Sequence, residues 1–161
     1  MLRYILVAFI IFSVYVVFVG SISTYTLLTG LAVSIILSAI SSKYLITNER
    51  KLREPMRLIY LICYFIKYIS IIELRAHADV IKRIFTMDLR PGLVKVPVNV
   101  KSRYSRLLVM GSITNTPGTI VVDEKDDYFY VNWIDVKTVD PLEAKQIISD
   151  EFEKFALKIL E

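Results

Sequence analysis

Residues 4–42 read YILVAFIIFSVYVVFVGSISTYTLLTGLAVSIILSAISS, and no charged side chain occurs between Arg3 and Lys43. Two apolar runs, residues 4–19 and 25–40, flank the short break Gly20-Ser21-Ile22-Ser23-Thr24. A soluble chain of 161 residues cannot bury that much contiguous apolar surface. A bilayer can, because a spanning helix needs roughly 20 mostly apolar residues. The break is short enough to join two antiparallel helices. The chain therefore enters a membrane, turns and returns. A cleavable signal peptide is the alternative suggested by Arg3 and the small residues at Gly20-Ser21, but the second apolar run follows at once.

Composition supports this reading. Hydrophobic residues make up 55% of the chain and the mean hydropathy is +0.52. Disorder is excluded and an ordinary soluble domain disfavoured. The positive excess lies in residues 1–90, whereas residues 91–161 are slightly acidic. Arg3 precedes the first span, and Lys43, Arg50, Lys51, Arg53 and Arg57 follow the second. Basic residues beside membrane segments orient them, so both ends of the hairpin are expected in the cytoplasm. The pattern does not point to nucleic acid. The single cysteine, Cys63, excludes an internal disulfide and a multi-cysteine metal site. Its apolar surroundings suggest a small buried hydrophobe.

Within the second span, Thr26, Gly30, Ser34, Ser38 and Ser42 recur every four residues. On a helix they form one seam of small side chains that lets another helix approach closely. Its partner is either the first span or another subunit. A polar connector covers residues 43–54, and Pro55 suits a helix start. From there to about residue 85 nothing breaks a helix. Arg57, Tyr60, Tyr64, Lys67, Tyr68, Arg75, Asp79 and Lys82 share one face at 100° per residue. Leu58, Ile59, Ile62, Ile66, Ile69, Val80 and Ile84 share the other. Such a helix either lies along the membrane interface or, over residues 56–72, forms a third span whose Lys67 packs on protein. Glu73 and His77 interrupt the apolar face four residues apart. They read either as a structural pair or as an ion-related, proton-handling pair.

Asp88-Leu89-Arg90-Pro91-Gly92 is a turn, and a small folded domain follows. Val94, Val96, Val98 and Val100 alternate with polar residues at strand period. Pro97 favours an edge position for this strand. Residues 102–114 read as a helix, 119–122 as a strand, 123–127 as an acidic turn and 128–134 as a second hairpin arm. Asp140-Pro141 starts one final helix. The expected fold is a membrane helical hairpin and a long amphipathic or third membrane helix, followed by a small α+β domain of β-α-β-β-α order. The expected divisions are 1–42, 43–90 and 91–161.

No catalytic residue, metal site or cofactor site is recognisable: there is no glycine-rich phosphate loop, zinc spacing or nucleophile elbow. The most distinctive stretch is Gly111-Ser112-Ile113-Thr114-Asn115-Thr116-Pro117-Gly118-Thr119. It combines a helix end, an extended residue before proline and a Pro-Gly turn of type II character. With Val121-Val122-Asp123 and Tyr130-Val131-Asn132-Trp133-Ile134, it resembles the E subunit of the multisubunit Mrp-type sodium/proton antiporter. Gly111 stands where that family commonly has Asn, and Asn132 where it commonly has His. The resemblance covers the whole chain. It implies a non-catalytic membrane subunit that supports assembly of a cation/proton translocating module. That module is free-standing or sits within an archaeal membrane-bound hydrogenase or sulfur-reducing complex. The implied partners are other membrane subunits and lipid. Gly30, Ser34, Ser38, Thr116, Pro117, Gly118 and Thr119 are the expected structural or interaction residues, with Lys67, Glu73 and His77 the ion-related candidates. The competing class is a free-standing membrane-anchored enzyme or signalling domain, which requires convergent acids or nucleophiles.

Overall fold

The computed structural model describes residues 1–46 and 54–161, in two compact units, Met1–Glu54 and Pro55–Glu161. Arg50, Lys51 and Arg53 of the basic cluster lie outside the described residues.

The first unit is a helical hairpin of α1 (Leu2–Val19) and α2 (Thr24–Leu45). Ser23 caps α2 by accepting a hydrogen bond from the Thr26 amide at 3.2 Å. The buried residues of α2 are Thr26, Gly30, Ser34, Ser38 and Ser42, so the four-residue seam faces α1. A Cβ built on Gly30 would lie 2.7 Å from Cδ1 of the Tyr15 ring. The hydroxyls of Ser34 and Ser38 donate to the carbonyls of Leu31 and Ile35 within their own helix, both at 2.9 Å. Satisfying these groups internally is what a membrane helix requires. Phe9, Phe18, Leu28 and Ile36 point outward, as lipid contact demands. Both helices are long and apolar enough to cross a bilayer.

The second unit opens with a continuous 32-residue helical rod, Pro55–Thr86. It comprises α3 (Pro55–Lys67), a wider π segment (Tyr68–Glu73) and α4 (Leu74–Thr86). The chain then forms β1 (Gly92–Pro97), α5 (Arg103–Asn115), β2 (Thr119–Lys125), β3 (Tyr128–Trp133), α6 (Pro141–Ile148) and α7 (Asp150–Leu160). The antiparallel sheet has the order β1-β3-β2, which puts Pro97 on an edge strand as expected. Ser102 and Asp140 cap α5 and α6 with side-chain oxygens.

One apolar core holds this unit together. Val94, Val96, Phe129, Val131 and Trp133 of the sheet meet Val109 and Ile113 of α5, and Ile148, Phe152, Ala156 and Ile159 of α6 and α7. Tyr64 and Tyr68 of the long helix are buried in the same cluster, with Tyr60 and Ile72 against it. A buried ion pair, Lys145 to Glu153 at 2.8 Å, joins α6 to α7. Ser149 also donates to the Glu153 carboxylate. At the hairpin end, Arg106 binds Glu124 and Asp127, which together raise its pKa and keep it charged.

The structure departs from the sequence reading in several places. The final helix is two helices, broken at Ser149. The acidic turn is shorter, because β2 continues to Lys125. Asp126 and Asp127 alone turn, both at positive φ as a two-residue hairpin requires. Cys63 is exposed, not buried.

The largest departure is in the long helix. Continuous 100° periodicity puts Arg75, Asp79 and Lys82 beneath the tyrosines and Val80 on the opposite face. The π segment inserts one extra residue, as such wide turns do. Every later position is therefore rotated by about one residue. Ala76, Val80 and Arg83 face the domain, while Arg75, Asp79 and Lys82 are exposed.

The Gly30 contact yields a test. Gly30→Leu is expected to force α1 and α2 apart and lower the yield of assembled protein, with membrane insertion retained. Protease resistance of the hairpin in membranes, compared with wild type, measures this; unchanged resistance would mean that the seam tolerates bulk.

Candidate functional site

The motif-bearing residues converge where the long helix docks on the end of α5. On the helix, Tyr64 and Tyr68 lie four residues apart and project from one face, with ring centroids 5.7 Å apart. On α5, Ser112 donates to the Leu108 carbonyl at 2.6 Å, leaving its oxygen to accept from the Tyr64 hydroxyl. Asn115 donates to the Tyr68 hydroxyl at 3.0 Å. That hydroxyl also lies 3.5 Å from both the Ser112 carbonyl and Oγ1 of Thr116. Buried phenols need such partners, and here they come from α5 and the turn after it.

The turn is built to end the helix and start β2. Thr116 is extended, as a residue before proline must be. Its hydroxyl donates back to the Ser112 carbonyl at 2.7 Å. Gly118 has φ +97°, a conformation that side chains resist. Thr119 closes the turn: its amide donates to the Thr116 carbonyl at 3.3 Å and its hydroxyl to the Ile113 carbonyl at 2.7 Å. A Cβ on Gly118 would approach Cγ2 of Ile134 to 3.1 Å and Cγ2 of Val80 to 3.7 Å. The turn therefore sits between the sheet and the helix after its π segment.

The ion-related candidates do not form one cluster. Lys67 pairs with Glu151 of α7 and lies 5.8 Å from the Phe155 ring centroid. Glu73 and His77 do meet. The His77 Nδ1 lies 2.8 Å from the Glu73 carbonyl and 3.4 Å from its Oε2. Because of the extra residue, Glu73 is turned from the apolar face, its side chain 16% exposed against 60% for His77. No hydrogen bond reaches its buried Oε1. The seam residues Gly30, Ser34 and Ser38 belong to the other unit and pack on α1.

Sequence reasoning missed a second junction at the far end of the long helix. Arg83 binds both carboxylate oxygens of Asp79, Asp135 at 2.8 Å and the Asp88 carbonyl at 3.0 Å. Arg90 holds the other Asp135 oxygen at 2.9 Å. Backbone bonds between Arg90 and both Ile134 and Val136 fix this loop to the sheet. A cavity of about 220 Å³ opens there, lined by Lys82, Arg83, Thr86, Asp88, Arg90 and Asp135. The four-residue spacing of Asp79 and Arg83 was legible, but their link to Asp135 depends on the extra residue of the π segment. Among the described residues, no three His, Cys, Asp or Glu side chains converge as a metal site would require. What this arrangement does chemically is fasten a helix to a domain.

Comparisons with known proteins agree with this architecture. The family model described as Na+/H+ ion antiporter subunit (MNHE) matches residues 8–159. The chain is 32% identical to the E subunit of the Na(+)/H(+) antiporter of Alkalihalophilus pseudofirmus, over 96% of each protein. Among solved structures, a chain of the membrane-bound sulfane sulfur reductase, an archaeal respiratory membrane complex, matches with a TM-score of 0.83. That match has 27% identity and covers 98% of this chain and 99% of the other.

Gly118→Val is expected to destabilise the second unit. Strain at positive φ is on the order of 1–3 kcal/mol, and the valine must also displace Ile134. Thermal unfolding followed by tryptophan fluorescence reads this, because Trp133 lies in the core. A variant as stable as wild type would show that the turn does not govern the junction.

Proposed function

The chain belongs to the MNHE family of Na+/H+ ion antiporter subunits, and we propose that it is a non-catalytic accessory subunit that supports assembly of a cation/proton translocating module. The observation that carries this reading lies in the hairpin: no acidic or basic side chain occurs between Arg3 and Lys43. An ion path through a membrane is marked by ionisable groups facing its interior. This hairpin presents a small-residue seam and apolar faces instead. In the second unit, Tyr64, Tyr68, Lys67 and Arg83 are engaged in docking the long helix on the α+β fold. Other membrane subunits then carry the ion, either in a free-standing antiporter or in a respiratory complex akin to the sulfur-reducing one. The basic residues flanking the hairpin favour cytoplasmic termini, and with them a cytoplasmic α+β unit. A free-standing enzyme is the competing reading; the acids Asp79 and Asp135 that do converge are both paired with Arg83.

Glu73→Gln tests the non-catalytic reading. The amide preserves shape and hydrogen bonding, so ion transport by the reconstituted complex, normalised to assembled protein, is expected to remain near wild type. A severe loss from a fully assembled complex would make Glu73 part of the proton path and overturn the proposal.

A further inference from the structure

The 32-residue rod Pro55–Thr86 has the composition of a membrane span, but its packing is that of a surface helix. From Arg57 to Tyr68, one side is occupied by α7. Arg57 donates to the Ile159 carbonyl at 2.9 Å, and the Lys158 ammonium lies 5.3 Å from the Tyr60 ring centroid. Tyr64 packs on Phe155 at 5.4 Å and Tyr68 on Phe152 at 6.1 Å between ring centroids, while Lys67 pairs with Glu151. At the other end, Arg83 is tied to Asp135 of the segment after β3. The opposite side is uncovered and apolar apart from His77: Leu58, Ile62, Ile66, Ile69, Ile81 and Phe85 are all exposed.

We infer that this helix lies in the plane of the membrane surface, with its exposed apolar face at the acyl boundary of the lipid and its tyrosine face carrying the α+β unit. Three observations support a lipid surface. First, if the helix crossed the bilayer, α7 would enter the hydrocarbon with Asp150, Glu151, Lys154 and Lys158. The open sheet edges of β1 and β2 would follow, and hydrocarbon does not accept unpaired edges. Second, at 1.5 Å per residue the rod is about 48 Å long, well beyond a hydrocarbon core of about 30 Å. Third, after the π segment the exposed surface carries Arg75 and Lys82 beside the apolar residues. That is the arrangement by which interfacial helices meet anionic headgroups. The π segment makes this possible, because it keeps one face on the domain throughout. The inference rests on the membrane reading of the hairpin, but not on which side the termini lie.

The native Cys63, on the exposed side, is a ready-made probe. The full chain in its complex is reconstituted in vesicles of phosphatidylcholine and phosphatidylglycerol. Nitroxide labels are placed at Cys63 and, in a Cys63→Ser background, at Leu58→Cys, Ile69→Cys and Ile81→Cys. Depth is read from relaxation by oxygen against a water-soluble nickel chelate. All four labels are expected at one shallow depth, within roughly 5–10 Å of the headgroup boundary. A steady change in depth, about 16 Å between positions 58 and 69 at the helical rise, would mean a third span. Labels shielded from both relaxants would mean that a protein partner covers this face. Either result overturns the inference. A label at Ile36→Cys in α2 serves as the deep reference; if it is not deep, the membrane reading of the hairpin fails instead.

Discussion

The second unit depends on one contact: the row of Tyr60, Tyr64 and Tyr68 laid against α7 and the end of α5. Aromatic rings bury more apolar surface than any other side chains, and their hydroxyls add direction. Here Tyr64 packs on Phe155 and Tyr68 on Phe152. The Tyr64 and Tyr68 hydroxyls meet Ser112, Asn115 and Thr116. A small α+β unit with a three-stranded sheet has little core of its own. The long helix supplies the missing layer. The same contact determines which side of the helix is left apolar and exposed, and hence how the unit meets its surroundings. The Thr116–Thr119 turn is distinctive in the sequence because it receives this helix. Its proline and glycine end α5 where Tyr68 needs a partner, and its hydroxyls occupy the carbonyls freed there.

The hairpin solves a different problem with different residues. Apolar attraction does not hold two helices together in lipid, since acyl chains compete equally well. Close approach and shape fit must do so, and the seam along α2 provides them. Tyr15 fits over Gly30 and reaches Thr29 with its hydroxyl at 3.0 Å. Ser34 and Ser38 contribute small size, their hydroxyls turned back on their own helix.

Much of this was legible in the sequence. The charge-free stretch marks the hairpin, and the four-residue repeat marks the buried face of α2 residue by residue. Alternating valines, Pro97 and the Asp140-Pro141 pair place the sheet and the start of α6. Other features were not legible, for physical reasons. A π segment leaves no local signature, since Tyr-Ile-Ser-Ile-Ile-Glu suits an α-helix equally well. Its extra residue nevertheless rotates everything after it, moving Val80 and Arg83 onto the domain and Arg75 off it. The Ser149 break escaped because Asp150 and Glu151 continue a helical pattern. The Lys145–Glu153 pair was hidden because charged residues are normally solvent-facing; only the break brings the two side chains together across α6 and α7. Glu73 and His77 are correctly paired by spacing, but the extra residue turns Glu73 inward while His77 stays exposed, on the stripe of Ile81 and Phe85.

On this account the long helix and the α+β unit are one cooperative structure joined through the tyrosines. Amide hydrogen exchange of the full chain, with and without Tyr64→Ala, tests it most directly. Removing a buried aromatic ring costs about 3–5 kcal/mol. If the claim holds, exchange rises together in the helix, in α5 and in the central strand β3, because all three open in one event. If faster exchange is confined to the residues around position 64, with α5 and β3 as protected as before, the helix is only an attachment and the claim is wrong.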